Sequence, residues 1–227
     1  MSTKKTETTE TGLDNINDSL TSMATKVQDN KKIITICTLA VVAIVVIVLA
    51  YVYFFRGPGI AKANDAIGTD DLTLAQGNDS LALAQYMNVA DEYGYDAGNR
   101  AALESAILLY QQEEYQKALD YLAKYSAEEE IIGAAAYSLK GDCYVNLDKL
   151  EDAVKCYKDA ISQSDENPAY TPYFMLKLAR VYAALGNHAE EAALYKAVKT
   201  DYPTYGSSNN IDVEKFYERA KLQSEAK

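Results

Sequence analysis

The stretch YSLKGDCYVNLDKLEDAVKCYKDA, residues 137–160, decides the fold of this chain. Apolar and small residues recur in it at helical spacing, first over one helix and then, after a short polar turn, over a second. Gly141 and Ala153 are small where two packed helices must approach closely, and Tyr144 and Tyr157 can fill the space beside them. The stretch therefore predicts a pair of packed helices.

The same design occurs on both sides of this stretch. Leu109 precedes Tyr144 by 35 residues and Tyr182 follows it by 38, so the register is nearly constant. The downstream copy departs from the pattern at Glu191, where a small residue is expected, and Ala192 stands one position late. The matching positions are Ala106, Leu109, Ala118 and Leu122 upstream, and Leu178, Ala179, Tyr182, Gly186, Tyr195 and Pro203 downstream.

This spacing resembles the tetratricopeptide repeat, which has a period of about 34 residues, an aromatic–Gly–Tyr first helix and an Ala–aromatic second helix. The resemblance implies an α-solenoid of stacked helix pairs. Residues 61–76 and 81–93 form a degenerate pair that would cap one end. No alternating strand pattern occurs, so the predicted fold class is all-α, with the repeat domain over residues 60–222. The helix predicted to cap the other end carries Val213, Phe216, Tyr217 and Ala220.

An uncharged apolar stretch precedes the repeats, from Ile33 to Phe55. As a helix it would measure about 34 Å, enough to cross a hydrocarbon core of about 30 Å. A long polar segment comes before it and no small-residue cleavage site follows, which favours an uncleaved anchor over a signal peptide. We therefore expect a transmembrane helix over residues 33–55, followed by a hinge at Gly57-Pro58-Gly59.

Residues 1–32 are predicted to form a polar cytoplasmic tail. Lysines on the N-terminal side of the apolar stretch slightly outnumber the basic residues after it, which favours a cytoplasmic N-terminus. The tail carries an apolar stripe that predicts a short amphipathic helix, either resting on the membrane surface or serving as a dimerisation or docking segment. The stripe consists of Leu13, Ile16, Leu20, Met23 and Val27.

The arrangement of tail, single anchor and acidic repeat domain resembles bacterial inner-membrane tetratricopeptide proteins of the ancillary Sec-translocon subunit type. That resemblance implies a single-pass protein of the inner membrane with a periplasmic C-terminal domain. It also implies contact with newly exported proteins or with their chaperones.

Charge and composition exclude several classes of function. Residues 57–227 hold 16 basic and 28 acidic residues, a net charge of −12 without a basic patch, so nucleic-acid binding is not expected. The lone histidine, His188, is expected in an exposed turn and has no partners for a triad or a metal site. Asp70-Asp71 is interpreted as a helix cap. We expect no catalytic residue, no cofactor and no metal.

Cys143 and Cys156 fall on neighbouring predicted helices, so the sequence is compatible both with a disulfide and with two buried thiols. Stacked repeats create a concave groove lined by the first helix of each pair, and this groove is the predicted binding surface. Asp142 on that surface would repel a carboxylate, so capture of a partner's C-terminus is not expected. The groove residues predicted are Arg100, Leu103, Ile107, Tyr110, Ser138, Asp142, Val145, Tyr173, Leu176 and Arg180.

Two functions are compatible with these features. The first is a membrane-anchored adaptor or scaffold that binds other proteins in the periplasm near the export machinery. The alternative is a structural envelope protein that assembles with itself through the anchor and the tail as a homo-oligomer. Both contact the lipid bilayer through one transmembrane helix.

Overall fold

The computed structural model of the chain describes residue 21, residue 28 and residues 30–226. The predicted apolar stripe from Leu13 to Val27 lies outside these residues. All regular elements in the described part are helical, as the all-α prediction requires. The chain divides into two compact units, Met1–Gly59 and Ile60–Lys227.

The helices follow one another with short connections. In chain order they are α1 Lys31–Tyr51, a π-helical turn Val52–Arg56, α2 Gly57–Ala75, α3 Asp79–Glu92, α4 Asp96–Gln111, α5 Tyr115–Leu122, α6 Glu130–Asn146, α7 Leu150–Gln163, α8 Thr171–Ala184, α9 His188–Asp201, α10 Tyr205–Ser208 and α11 Val213–Glu225.

Helix α1 contains no buried residue, and its side chains are apolar almost throughout. By length and composition it lies in a helix that could cross a membrane, although a signal sequence has the same properties. Gly57-Pro58-Gly59, predicted as a hinge, form the first turn of α2. Proline is tolerated in the first turn of a helix, and the preceding π-helical turn lets the Gly57 N–H donate to the Val52 carbonyl.

The repeat unit is built from helix pairs, α2 with α3, α4 with α5, α6 with α7 and α8 with α9. Consecutive helices from α3 to α9 pack on one another, and α11 packs on α9. Alanines lie in the core between the packed helices, since Ala82, Ala118 and Ala153 are completely buried. This arrangement confirms the predicted solenoid of helix pairs with a C-terminal capping helix.

Each first helix ends in the same way. Gly77, Glu113, Asp148 and Gly186 all have positive φ angles, between 58° and 78°. In each turn the N–H of this residue and the N–H of the next residue donate back to carbonyls of the preceding helix, at 2.9–3.2 Å. Two of the four are glycine, the residue that adopts this conformation without strain. The intervals of 36, 35 and 38 residues reproduce the predicted repeat spacing.

Gly141 of α6 and Tyr157 of α7 make a close contact in the central pair. A Cβ atom added to Gly141 would lie 2.7 Å from Cε1 of the Tyr157 ring, closer than real Cβ contacts allow. The ring is 3 % exposed, and its hydroxyl donates to Asp142 at 2.6 Å. The small residue predicted at this position is therefore required by the tyrosine that packs against it.

We expect Gly141→Ala to lower the free energy of unfolding by about 1–3 kcal/mol, because the buried Tyr157 ring must move to admit the methyl group. Gly68→Ala in α2 is the matched control, since nothing lies within 4 Å of its Cβ position. That control should instead stabilise the chain by about 0.5–1 kcal/mol through helix propensity. Urea unfolding followed by circular dichroism measures both values, and equal effects of the two substitutions would refute the close contact.

Glu191, the departure from the repeat pattern, is completely buried. Its Oε2 lies 2.8 Å from Nδ1 of His188, and its Oε1 accepts a hydrogen bond from Nη2 of Arg219 at 3.1 Å. Arg219 belongs to α11, so the carboxylate joins the last helix pair to the capping helix. Ring stacking of Phe216 on Tyr195, at a centroid distance of 5.6 Å, supports the same contact.

The expected surface position of His188 is also wrong. Its side chain is only 17 % exposed, because His188 is the first residue of α9 and its ring contacts the carboxylate of Glu191, three residues further along the helix. The repeat spacing did not predict this contact, because Glu191 was interpreted only as a departure from the pattern and not as the residue that holds α11.

We expect Glu191→Ala to destabilise the repeat unit by about 1–3 kcal/mol, because two hydrogen bonds to a buried carboxylate are lost. Glu190→Ala changes the exposed neighbour and should alter the unfolding free energy by less than about 0.5 kcal/mol. Hydrogen exchange should show faster exchange of α11 amides in the first variant only. Unchanged protection of α11 would contradict the role given to Glu191.

Candidate functional site

A groove runs beside the first helices of the pairs and consists of three neighbouring cavities. The first, of about 530 Å³, lies beside the α3–α4 and α5–α6 connections and is called the loop cavity. The second, of about 540 Å³, lies between α4, α6 and α8 and is called the central cavity. The third, of about 230 Å³, lies between α6, α7 and α8 and is called the distal cavity.

The cavities share walls. Leu103 and Ile132 line both the loop cavity and the central cavity. Asp142 and Lys177 line both the central cavity and the distal cavity. The three spaces therefore form one elongated groove, which suits an extended or helical segment better than a compact ligand.

The central cavity has an apolar wall that solvent reaches. Ile132, Tyr170 and Tyr173 remain 45–46 % exposed although each is large and hydrophobic. Leu103, Ile107 and other aliphatic side chains line the same space. Clustered apolar exposure of this kind marks interaction sites, whereas single exposed apolar residues are ordinary.

A polar cluster separates the central cavity from the distal one. Asp142 Oδ2 lies 2.6 Å from Nζ of Lys177, and its Oδ1 accepts a hydrogen bond from the Tyr157 hydroxyl at 2.6 Å. Lys177 also donates to Oγ of Ser138 at 3.1 Å and lies 4.8 Å from the centroid of the Tyr173 ring. Burial and the Asp142 carboxylate raise the pKa of Tyr157 well above its usual range, so the hydroxyl stays protonated.

A second cluster of the same design occurs in the first helix pair. Asp71 Oδ1 accepts a hydrogen bond from the Tyr86 hydroxyl at 2.6 Å, and Nη2 of Arg100 contacts both Asp71 oxygens at 2.8 and 2.9 Å. Asp71 lies within α2, which spans Gly57–Ala75, so the prediction that Asp70-Asp71 caps a helix is wrong. The tyrosine follows the aspartate by 15 residues in both clusters.

Seven predicted groove residues line the central or distal cavity, and some take part in other contacts. Ser138 is 2 % exposed and bonded to Lys177, so it is a supporting residue. Arg100 lines the loop cavity while it pairs with Asp71. The predicted residues that line the central or distal cavity are Leu103, Ile107, Ser138, Asp142, Val145, Tyr173 and Arg180.

Two predicted residues do not line these cavities. Leu176 is 5 % exposed and packs in the core with Met175 and Ala179, so its predicted place on an exposed stripe is wrong. The Tyr110 hydroxyl accepts a hydrogen bond from Nδ2 of Asn146 at 3.4 Å, and its ring packs on Tyr115. Tyr110 therefore joins neighbouring helix pairs.

Sequence reasoning missed Lys177, Tyr170, Ile132 and Glu104 of the central cavity. The available indication for Lys177 was its spacing of four residues from Tyr173, which places both side chains on one face of α8. Because Leu176 was predicted instead of Lys177, the predicted groove-facing stripe of α8 was displaced by one residue. Tyr170 precedes α8, where helical spacing gives no information.

Among residues 30–226, no group of three or more His, Cys, Asp or Glu side chains could hold a metal ion. Cys143 and Cys156 are buried free thiols in the structure. Burial raises the pKa of Cys143 to about 12 and that of Cys156 to about 11, so neither is a reactive thiolate at neutral pH.

These features define a helical repeat protein of the tetratricopeptide type. The model of the family described as "Tetratricopeptide repeat-like domain" matches residues 63–181, more than half of the 227 residues. The chain belongs to this family. Its repeats indicate a scaffold or adaptor that binds other proteins, and nothing in the described residues points to catalysis.

Solved structures show the same fold. The crystal structure of MamA is 16% identical, with a TM-score of 0.51, and the match covers 69% of this chain and 95% of that one. The TPR-like repeats of a Podosopora anserina protein described as a kinesin light chain are 12% identical, with a TM-score of 0.50, and the match covers 72% and 95%. A comparison with curated protein sequences found no match.

We expect Lys177→Met to lower the free energy of unfolding by about 1–3 kcal/mol, because the partly buried Asp142 loses its cation. Lys155→Met removes an exposed pair with Asp152 and should leave the free energy of unfolding unchanged within the error of the measurement. A double-mutant cycle with Asp142→Asn should give a coupling energy near 1 kcal/mol, to be measured by urea unfolding. Additive effects of the two substitutions would show that the pair does not organise the groove.

Proposed function

We propose that the chain is a membrane-anchored adaptor that holds exposed segments of other proteins in its groove. The single observation that carries the proposal is the open central cavity, in which Ile132, Tyr170 and Tyr173 remain accessible to solvent. Apolar and aromatic anchors of this kind supply most of the binding energy in peptide recognition. The polar cluster around Lys177 limits the cavity at one end.

The proposed anchor is α1 with the π-helical turn that follows it. In support, α1 has only exposed side chains, nearly all of them apolar, and the aromatic residues between Tyr51 and Phe55 cluster at its C-terminal end. Such aromatic residues favour the interface between lipid and water. Anchoring raises the local concentration of the groove at the membrane, so that individual contacts can be weak.

We place the repeat unit in the periplasm of a bacterium, beside the protein-export machinery. The basic residues before the apolar stretch and the likeness to ancillary Sec-translocon subunits support this placement. Segments that emerge from an export channel are unfolded and expose apolar side chains, which is the class of ligand that the central cavity suits.

We expect a photo-reactive phenylalanine analogue in place of Tyr173 to crosslink the full chain to other polypeptides in intact cells. The matched control is the same analogue in place of Leu222, which is exposed on α11 outside the three cavities. Adducts specific to position 173 should disappear when Ile132→Ser is added, since the cavity then loses an apolar anchor.

If the adducts contain only a second copy of this chain, the adaptor proposal is refuted in favour of the alternative, a self-assembling protein. Equal adducts at positions 173 and 222 would show that the cavity is not the binding surface. Extraction of the membranes at alkaline pH and protease treatment of spheroplasts, made on the same cells, test the anchor and the side on which the repeats lie.

A further inference from the structure

The acidic side chains near the groove differ in how well they are paired. Asp71 and Asp142 each accept a tyrosine hydroxyl and contact a cation. Glu104 of α4 lines the central cavity, and its nearest cation is Nε of Arg100, 3.9 Å from Oε1. That distance is too long for a hydrogen bond, and no hydrogen bond to the Glu104 carboxylate occurs among the described residues.

Arg100 is already engaged elsewhere. Its Nη2 contacts both oxygens of Asp71 in a forked arrangement, which fixes the guanidinium on the α2 side. Glu104 therefore shares a cation that is committed to another carboxylate. In the central cavity Lys177 neutralises Asp142, so Glu104 is the carboxylate whose charge remains.

The surroundings of Glu104 make this charge unfavourable in the unoccupied groove. Its side chain is 28 % exposed and lies in the wall that Leu103 and Ile107 form. Burial raises the pKa of Glu104, with the negative charge of Asp71 acting in the same direction and Arg100 opposing it. A cation that comes close to a partly buried carboxylate of this kind stabilises its negative charge.

We propose that the central cavity selects peptide segments in which one lysine or arginine is flanked by apolar or aromatic residues. The cation would pair with Glu104 while its neighbours contact Ile132, Tyr170 and Tyr173. This inference rests on the proposed function, since it names the ligand of the same groove. The negative charge of the whole chain, −11, favours approach of the same class of segment.

The geometry also disfavours the opposite charge pattern. An acidic residue at the centre of the segment would lie beside Glu104, and Lys177, whose charge Asp142 already offsets, would attract it only weakly. Like charges in a partly desolvated site discriminate strongly between partners. Selection therefore comes both from attraction of the cation and from exclusion of the anion.

The test uses the full chain in detergent micelles and three labelled synthetic peptides. The peptides share one sequence of leucine, tyrosine, alanine and serine and differ only at the central residue, which is lysine, glutamine or glutamate. We expect fluorescence anisotropy to show about tenfold tighter binding of the lysine peptide than of the glutamate peptide. Glu104→Gln should bring the three affinities within about twofold of one another, with its fold checked by circular dichroism.

Glu151→Gln is the matched control, because Glu151 is exposed on α7 and lines none of the three cavities. It removes the same charge and should preserve the preference. If all three peptides bind the native chain equally and Tyr173→Ala weakens all of them, the groove binds peptides and the charge selection is refuted. If no peptide binds, the proposed function itself fails. Loss of the preference in Glu151→Gln would assign it to net charge and overturn the role of Glu104.

Discussion

The contact of Tyr157 with Gly141 and Asp142 links the packing of the repeats to the groove. The Tyr157 ring sets the distance between α6 and α7, since it occupies the space that a side chain on Gly141 would need. The hydroxyl of the same ring holds the carboxylate of the next residue, Asp142. That carboxylate contacts Lys177 of α8. Three helices are therefore held in register by one tyrosine, and the wall between the central and distal cavities depends on it.

The hydrogen bond from the tyrosine hydroxyl to the aspartate carboxylate occurs in alternate pairs. Tyr86 and Asp71 reproduce it in the first pair, whereas the positions 35 residues before Asp142 and Tyr157 are Ile107 and Leu122. The second pair therefore supplies apolar side chains where its neighbours supply a bonded carboxylate and hydroxyl. This difference explains why an apolar cavity lies between two polar clusters, and why Glu104, one helical turn before Ile107, lies in an environment with few polar partners.

Spacing in the sequence predicted the helix pairs because repeat packing constrains the same positions each time. Gly141 and Ala153 had to be small, and the turn residue had to adopt a positive φ angle, so both left a periodic trace. Contacts made once in the chain left no such trace. Glu191 bonds to Arg219, which lies 28 residues away on a helix outside the repeat pattern. Likewise, Lys177 and Leu176 are adjacent in sequence, and only the rotation of α8 against its neighbours decides which faces the groove.

Some features that weaken the free chain lie at the groove. Ile132 and Tyr173 expose apolar surface, and Glu104 carries a charge that its neighbours pair incompletely. By contrast, the buried carboxylate of Glu191, which lies outside the groove, has two partners. Binding sites commonly retain such local losses of stability, because a ligand recovers the free energy that the empty site lacks. The incompletely paired Glu104, which a stability argument would remove from a scaffold, is the group to which we assign the selectivity of this groove. Stability and recognition are then opposed at Glu104, and a bound cation would satisfy both.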